Sequence, residues 1–172
     1  MSIDPEIVKE FVVESKTLIE DLIELLESID GDFSKVEQLA DYGNRIDRIM
    51  GGAKSLALLV DESHALHLIS DYTALCKAVG YKASQIKDNE SFFDICVALL
   101  LDATESLEQM MDHLDMSAVE LKKRIPVTFI ERVRFISNQF SEDMRGSVDA
   151  RGTQQGKMSQ TDIDELMRKL GL

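Results

Sequence analysis

Residues 44–58 read Asn44-Arg-Ile-Asp-Arg-Ile-Met-Gly-Gly-Ala-Lys-Ser-Leu-Ala-Leu58, and this stretch decides the fold expected of the chain. Its apolar residues recur at three- and four-residue spacing, which is typical of an amphipathic helix. Gly51 and Gly52 nevertheless stand side by side within it. Each glycine in a helix interior costs about 1 kcal/mol relative to alanine. Two adjacent glycines are therefore expected where a neighbouring helix or a partner must approach the backbone closely.

The helical spacing continues on both sides of this stretch and predicts an all-α protein. The helix that contains it should begin at a capping box, Ser34-x-x-Glu37. An earlier helix should begin at Asp4-Pro5, a third should run from about Asp61 to Gly80, and a fourth should follow. These four long segments predict an antiparallel four-helix bundle.

Two further segments follow the predicted bundle. A fifth helix should begin at Ser117-x-x-Glu120 and be broken or kinked by Pro126. After the proline its apolar stripe continues through Phe129, Val133, Ile136, Phe140 and Met144. Either the chain's own bundle or a second copy in a homodimer must cover this stripe. The expected organisation is a helical domain over residues 1–145, a flexible linker over 146–158 and a C-terminal helical peptide over 159–172.

Composition narrows the classes of partner. The formal net charge of −13 argues against nucleic-acid binding, which needs a basic face, and disfavours anionic membranes. No apolar run approaches the ~18 residues of a membrane span and no signal-peptide pattern opens the chain, so a cytoplasmic protein is expected. Cys76 and Cys96 lack metal or redox spacing and are expected to be buried thiols. Asp61, His64 and His67 share a predicted helix face without an evident fourth ligand, so we expect no metal site or cofactor.

A helical wheel gives the second helix a small, polar face rotated away from its core stripe. At 100° per residue its members lie within about 60° of Asp47. We call this set the docking face, and it comprises Ala40, Gly43, Asn44, Asp47, Met50, Gly51 and Lys54.

The same stretch resembles the core of histidine phosphotransfer (HPt) domains, such as those of CheA-type chemotaxis kinases, which read His-x-x-Lys-Gly-(Gly/Ser)-Ala. Gly51, Gly52 and Ala53 match that core, whereas Asp47 stands in the position of the phosphorylated histidine and Met50 in that of the lysine. The resemblance covers about residues 4–115 and implies an HPt-like four-helix bundle. Because a carboxylate cannot form the phosphoramidate that imidazole forms, histidine phosphotransfer at the usual site is not expected.

The C-terminal segment resembles a second family of sequences, the CheY-binding peptides of FliM and CheZ proteins. Those peptides follow a Ser-Gln-x-x-Ile-Asp-x-Leu pattern, and residues 158–172 read Met-Ser-Gln-Thr-Asp-Ile-Asp-Glu-Leu-Met-Arg-Lys-Leu-Gly-Leu. We expect this segment to be disordered when free and to fold on a partner's groove. The resemblance implies that the receiver-binding residues are Ser159, Gln160, Ile163, Asp164, Leu166, Met167 and Leu170.

Both resemblances imply the same partner, the receiver domain of a CheY-type response regulator, with any Mg²⁺ bound by that receiver. Acceleration of the receiver's dephosphorylation is one expected activity. Chemotaxis phosphatases use Asp-x-x-x-Gln or Glu-x-x-Asn on a helix, and here Asp41-x-x-Asn44 places an acid and an amide one turn apart. The candidate catalytic residues are thus Asp41, Asn44 and Asp47. Alternatively, Asp47 pairs only with Arg48 or Lys54 and the chain is a catalytically inert dimerisation or adaptor module.

Overall fold

The computed structural model describes residues 3–143 and 160–171, and the described chain is all-helical, as predicted. The linker predicted over 146–158 lies outside the described residues, as do Met144 and Ser159. The helices, numbered in chain order, are α1 (Pro5–Ile29), α2 (Gln38–Ala57), α3 (Ala65–Ala83), α4 (Glu90–Met111), α5 (Ala118–Lys122), α6 (Val127–Asp143) and α7 (Gln160–Lys169). None of the helices in the described ranges is long and apolar enough to cross a membrane.

Side-chain caps explain where several helices begin. At α1 the Asp4 carboxylate accepts a hydrogen bond from the Glu6 amide at 3.0 Å, with Pro5 in the first helical position. At α5 the predicted capping box of Ser117 and Glu120 is present. The capping box predicted for α2 is wrong, because Asp32 already accepts from the amide of Ser34 and begins a short 3-10 turn. The α2 helix therefore begins only at Gln38, without a side-chain cap.

Two glycine–tyrosine pairs bring α2 and α3 close together. The ring of Tyr42 lies on Gly80, where an added Cβ would be 2.8 Å from the ring, and the ring of Tyr81 lies on Gly43 at 3.1 Å. Gly80 was predicted to end the third helix, yet α3 continues to Ala83. The glycine lies inside the helix because a side chain there would collide with Tyr42.

The four long helices surround one apolar core. Helix α1 contacts α2 and α4, and α3 contacts the same two helices. Two buried tyrosine hydroxyls are satisfied at α4: Tyr42 lies 2.9 Å from the Thr104 hydroxyl, and Tyr72 donates to the Ala103 carbonyl at 2.8 Å. The largest fully buried side chains of these helices include Tyr42, Tyr72, Phe93, Ile19, Leu22 and Leu26.

Pro126 separates two helices rather than kinking one. Helix α5 ends at Lys122. In the first turn of α6, the Pro126 carbonyl accepts a hydrogen bond from the Phe129 amide at 3.1 Å. The apolar stripe of α6 is buried against α4 and α7. The ring centroids of Phe92 on α4 and Phe140 on α6 are 5.2 Å apart. The described part of this stripe is therefore covered within the chain and gives no reason for a homodimer.

Helix α7 does not follow the expectation of a free, disordered peptide. It packs on α3 and α6, and Ile163, Met167 and Leu170 are 1%, 7% and 0% exposed. Burial of that apolar side against the chain's own helices supplies the free energy that an isolated short helix lacks.

A candidate docking and catalytic site on α2

The predicted docking face lies along the middle of α2, beside α3. Asn44 and Lys54 are exposed, while Asp47 and Gly51 are partly exposed. Ala40 and Met50 are also partly exposed, so six of the seven predicted members reach the surface. Gly43 is the exception, since it is buried under the ring of Tyr81. Its missing side chain makes room for α3 and not for a partner, which corrects its assignment to the docking face.

Asp47 is paired with a residue that sequence reasoning did not identify. Its Oδ1 accepts a hydrogen bond from Lys77 Nζ of α3 at 2.7 Å, so the predicted pairing with Arg48 or Lys54 is wrong. Arg48 lies on the other side of α2 and binds Glu14 of α1 at 2.8 Å. The side chains of Lys77 and Asp47 are 21% and 47% exposed, so this ion pair is half-buried and is only partly screened by solvent. About half of the carboxylate surface therefore remains open to an external cation beside Lys77.

Asn44 is held by a second residue of α3. The Tyr81 hydroxyl donates to Asn44 Oδ1 and favours one orientation of the amide. The amide NH₂ group supplies two further donors, and Oδ1 has a second lone pair. Asn44 thus presents both donor and acceptor groups next to the Asp47 carboxylate.

Lys77 and Tyr81 are four residues apart on α3 and therefore lie on one side of that helix. The Lys77 ammonium also lies 5.9 Å from the centroid of the Tyr81 ring. The four-residue spacing in the sequence could have indicated that these two side chains lie together, but only the packing of α2 on α3 shows which residues they meet. Asp41, the third candidate catalytic residue, is exposed one turn before Asn44 and takes no part in the contacts with Lys77 and Tyr81.

The two adjacent glycines have different surroundings. A Cβ on Gly52 would lie 2.9 Å from the ring of Phe11, so this glycine is needed for the packing of α1 on α2. A Cβ on Gly51 would have no neighbouring atom of the described chain within 4 Å. The bare backbone at Gly51 is therefore open to approach from outside.

His64 and the two cysteines lie away from this face. His64 is the N-cap of α3, and its Nδ1 accepts the Leu66 amide at 3.2 Å. In the described ranges, no three His, Cys, Asp or Glu side chains are grouped so as to hold a metal ion. Cys76 and Cys96 are free and buried, as predicted. Burial raises the pKa of the Cys76 thiol to about 12.

The residues of the predicted receiver-binding tail divide between two sides of α7. Ile163, Met167 and Leu170 face the bundle, and Leu166 is partly buried. Asp164 accepts a hydrogen bond from the Ser137 hydroxyl of α6 at 3.2 Å. Gln160 is the first residue of α7, and Ser159 before it lies outside the described residues.

Comparisons with protein-family models, with curated proteins and with solved structures found no match to this chain. The assignment of a function therefore rests on the docking face and on α7.

Proposed function

We propose that this chain is an HPt-like helical module that binds the receiver domain of a CheY-type response regulator in bacterial two-component signalling. The observation that carries the proposal is the docking face, where Asn44 and Asp47 are presented side by side next to an open glycine backbone at Gly51. This is the position at which HPt proteins present their phosphorylated histidine to a receiver.

An antiparallel four-helix bundle is part of the proposal. Each of α1 to α4 contacts two of the others in a closed ring, and consecutive helices are joined by short connections. That arrangement is expected of an up-and-down bundle. It would place the docking face at the centre of one long helix, where a receiver can approach without interference from loops.

Binding would use the partly exposed charge of Asp47. A receiver active site carries a lysine, and a carboxylate that is only half exposed and singly paired can accept it in place of, or together with, Lys77. Gly51 would allow the receiver backbone to come close to α2. The α7 segment would supply a second contact.

Dephosphorylation of the receiver is the activity that the site chemistry fits. Hydrolysis of an aspartyl phosphate needs a side chain that orients the attacking water and a carboxylate that engages the receiver's lysine. Asn44, hydrogen-bonded to Tyr81, would orient the water, and Asp47 would engage the lysine. Asp41 would supply the carboxylate one helical turn before Asn44. The Mg²⁺ would be bound by the receiver.

A catalytically inert adaptor is the second candidate, and the Lys77–Asp47 ion pair favours it. In that role Lys77 keeps the carboxylate neutralised, and the face only recognises the receiver. Binding and catalysis must therefore be measured separately.

The binding test is a titration of a CheY-type receiver, with and without beryllofluoride as a phosphoryl mimic. Asp47→Asn is expected to weaken binding about tenfold, since it removes an interfacial charge without changing shape. Asp102→Asn is the matched control, because Asp102 is also about half exposed and paired, with Arg132, but lies on α4. Equal affinities for the wild type, both variants and a chain ending at Gly156 would contradict the proposal.

The catalytic test follows phosphate release from phosphorylated receiver. The chain is expected to accelerate release, and Asn44→Ala is expected to remove about a hundredfold of that acceleration. Gln109→Ala, which removes an exposed amide of α4, is the control and should leave the rate unchanged. If the wild type leaves the decay rate of the receiver unaltered while binding it, the adaptor role is the correct one.

A further inference from the structure

Helix α7 has a defined seat on the bundle. Its apolar residues Ile163, Met167 and Leu170 are spaced by four and three residues, and all three are buried against the helices of the chain itself. The seat is formed by α3 and α6, with α5 beside its end. We call this surface the α7 seat.

Polar contacts along the edges show that the seat is specific. The Ser137 hydroxyl, only 4% exposed, donates to Asp164 at 3.2 Å. Burial raises the pKa of the Asp71 carboxyl above its usual 3.8, and the neighbouring Lys169 ammonium opposes this shift. Gly171 turns with a φ of 71°, and a side chain there would strike the Lys122 ammonium of α5. The hydrogen bond to Ser137 and the apolar packing on α3 and α6 therefore define the position of α7.

The buried residues of α7 are also those assigned to receiver binding by the resemblance to CheY-binding peptides. One side chain cannot be buried in two places at once. A helix that inserts its apolar side into a partner's groove must first leave any other groove that holds it.

We infer that α7 alternates between two sites, the α7 seat on its own bundle and the receiver, so that the seat competes with the receiver for Ile163, Met167 and Leu170. This inference rests on the proposed function. When α7 is seated, only the docking face is available to the receiver. When α7 leaves the seat, both contacts can form.

Competition has a measurable consequence for affinity. The apparent dissociation constant equals the intrinsic one divided by the fraction of molecules whose α7 is free. If about nine molecules in ten hold α7 in the seat, emptying the seat should tighten receiver binding through α7 by about tenfold.

The test changes the seat and leaves the sequence of α7 intact. Ser137→Glu places a carboxylate against Asp164 at a buried position and should release α7. Ser91→Glu adds the same charge at an exposed position on α4 and is the control. Asp71→Lys, which opposes Lys169 at a partly exposed position, repeats the test in case Ser137→Glu does not fold.

Three measurements are compared for the full chain: amide hydrogen exchange of residues 163–169, affinity for the receiver, and affinity of a synthetic 158–172 peptide for the same receiver. The expected result is slow exchange in the wild type and in Ser91→Glu. Fast exchange and about tenfold tighter receiver binding are expected in Ser137→Glu and Asp71→Lys.

Two outcomes would overturn the inference, and they can be told apart from failure of the proposed function. Fast exchange in the wild type would show that the seat is empty in solution. Loss of protection without a change in receiver affinity would show that seat and receiver use different sides of α7. If neither the peptide nor any chain binds the receiver, the proposed function itself is wrong, and the competition with it.

Discussion

The two glycines of α2 provide a sharp test, because their substitution by alanine should have opposite consequences. Gly51 and Gly52 both lie inside α2, and neither has a positive φ. Alanine is therefore compatible with the backbone at both positions. Each substitution gains the helix propensity of alanine, about 1 kcal/mol.

The surroundings then decide the net effect. A Cβ at position 51 meets nothing within 4 Å, so Gly51→Ala should raise the free energy of unfolding by about 1 kcal/mol. A Cβ at position 52 would lie 2.9 Å from the Phe11 ring, which must then shift within its packing against α2. Overpacking of this kind costs about 1–3 kcal/mol, so Gly52→Ala should be neutral or destabilising by up to about 2 kcal/mol.

Urea unfolding followed by circular dichroism measures both variants against the wild type. For a chain of this size 1 kcal/mol corresponds to roughly 2–4 °C in Tm, so the two variants should differ by several degrees. Gly51→Ala should also weaken receiver binding while it stabilises the fold, because its methyl group stands on the docking face. If Gly51→Ala destabilises the chain, position 51 does not have the free space described above. If the variant is stable and binds the receiver as the wild type does, the bare backbone at position 51 is not a contact surface.

Three other predictions concern the bundle. Burial, and then the charge of His67, lower the pKa of His64 below its usual 6.5, so its cap on α3 is intact above pH 6.5 and is lost as the pH falls through the lower, folded-state pKa. The control is His64→Asn, which keeps a helix cap that does not titrate. Relative to this variant, the free energy of unfolding of the wild type, measured with urea, should fall by about 1 kcal/mol between pH 7.5 and 5. Parallel plots of unfolding free energy against pH for the two proteins would refute this. Tyr42→Phe should cost about 1 kcal/mol, measured in the same way, because it removes the buried hydrogen bond to Thr104, whose hydroxyl keeps only its bond to the Leu100 carbonyl; an unchanged free energy of unfolding would contradict that role. The thiol of Cys76, buried with its pKa raised to about 12, should react with a disulfide reagent only as fast as the native chain unfolds, and rapid labelling would show that it is accessible.

The sequence was sufficient for features that depend on local spacing. The caps at Asp4 and Ser117 and the break at Pro126 were predicted because each depends on residues within one turn of it. The capping box at Ser34 failed, since a competing acceptor, Asp32, lies two residues earlier. The end predicted at Gly80 failed because glycine was read as a helix stop, whereas Tyr42 on another helix requires it.

Features that depend on contact between helices could be predicted only in part. A helical wheel gave the side of α2 on which Asn44 and Asp47 lie, because that side is a property of one helix. Their partners Tyr81 and Lys77 are 37 and 30 residues away, and the wheel contains no information on how α3 is rotated against α2. The same reason explains the misplacement of Gly43 on the docking face. It also explains why α7, predicted to be free, was not expected on α3 and α6.

The two glycines of α2 also carry an energetic cost. Residues 51 and 52 together forgo about 2 kcal/mol of helix propensity. Packing against Phe11 explains the helix-propensity cost of Gly52, since a side chain there would collide with the Phe11 ring. No contact within the described chain explains the helix-propensity cost of Gly51. Folding alone therefore leaves about 1 kcal/mol unexplained, at a position one turn from Asp47. The proposed close approach of a receiver would explain this cost together with the half-exposed carboxylate of Asp47 beside it.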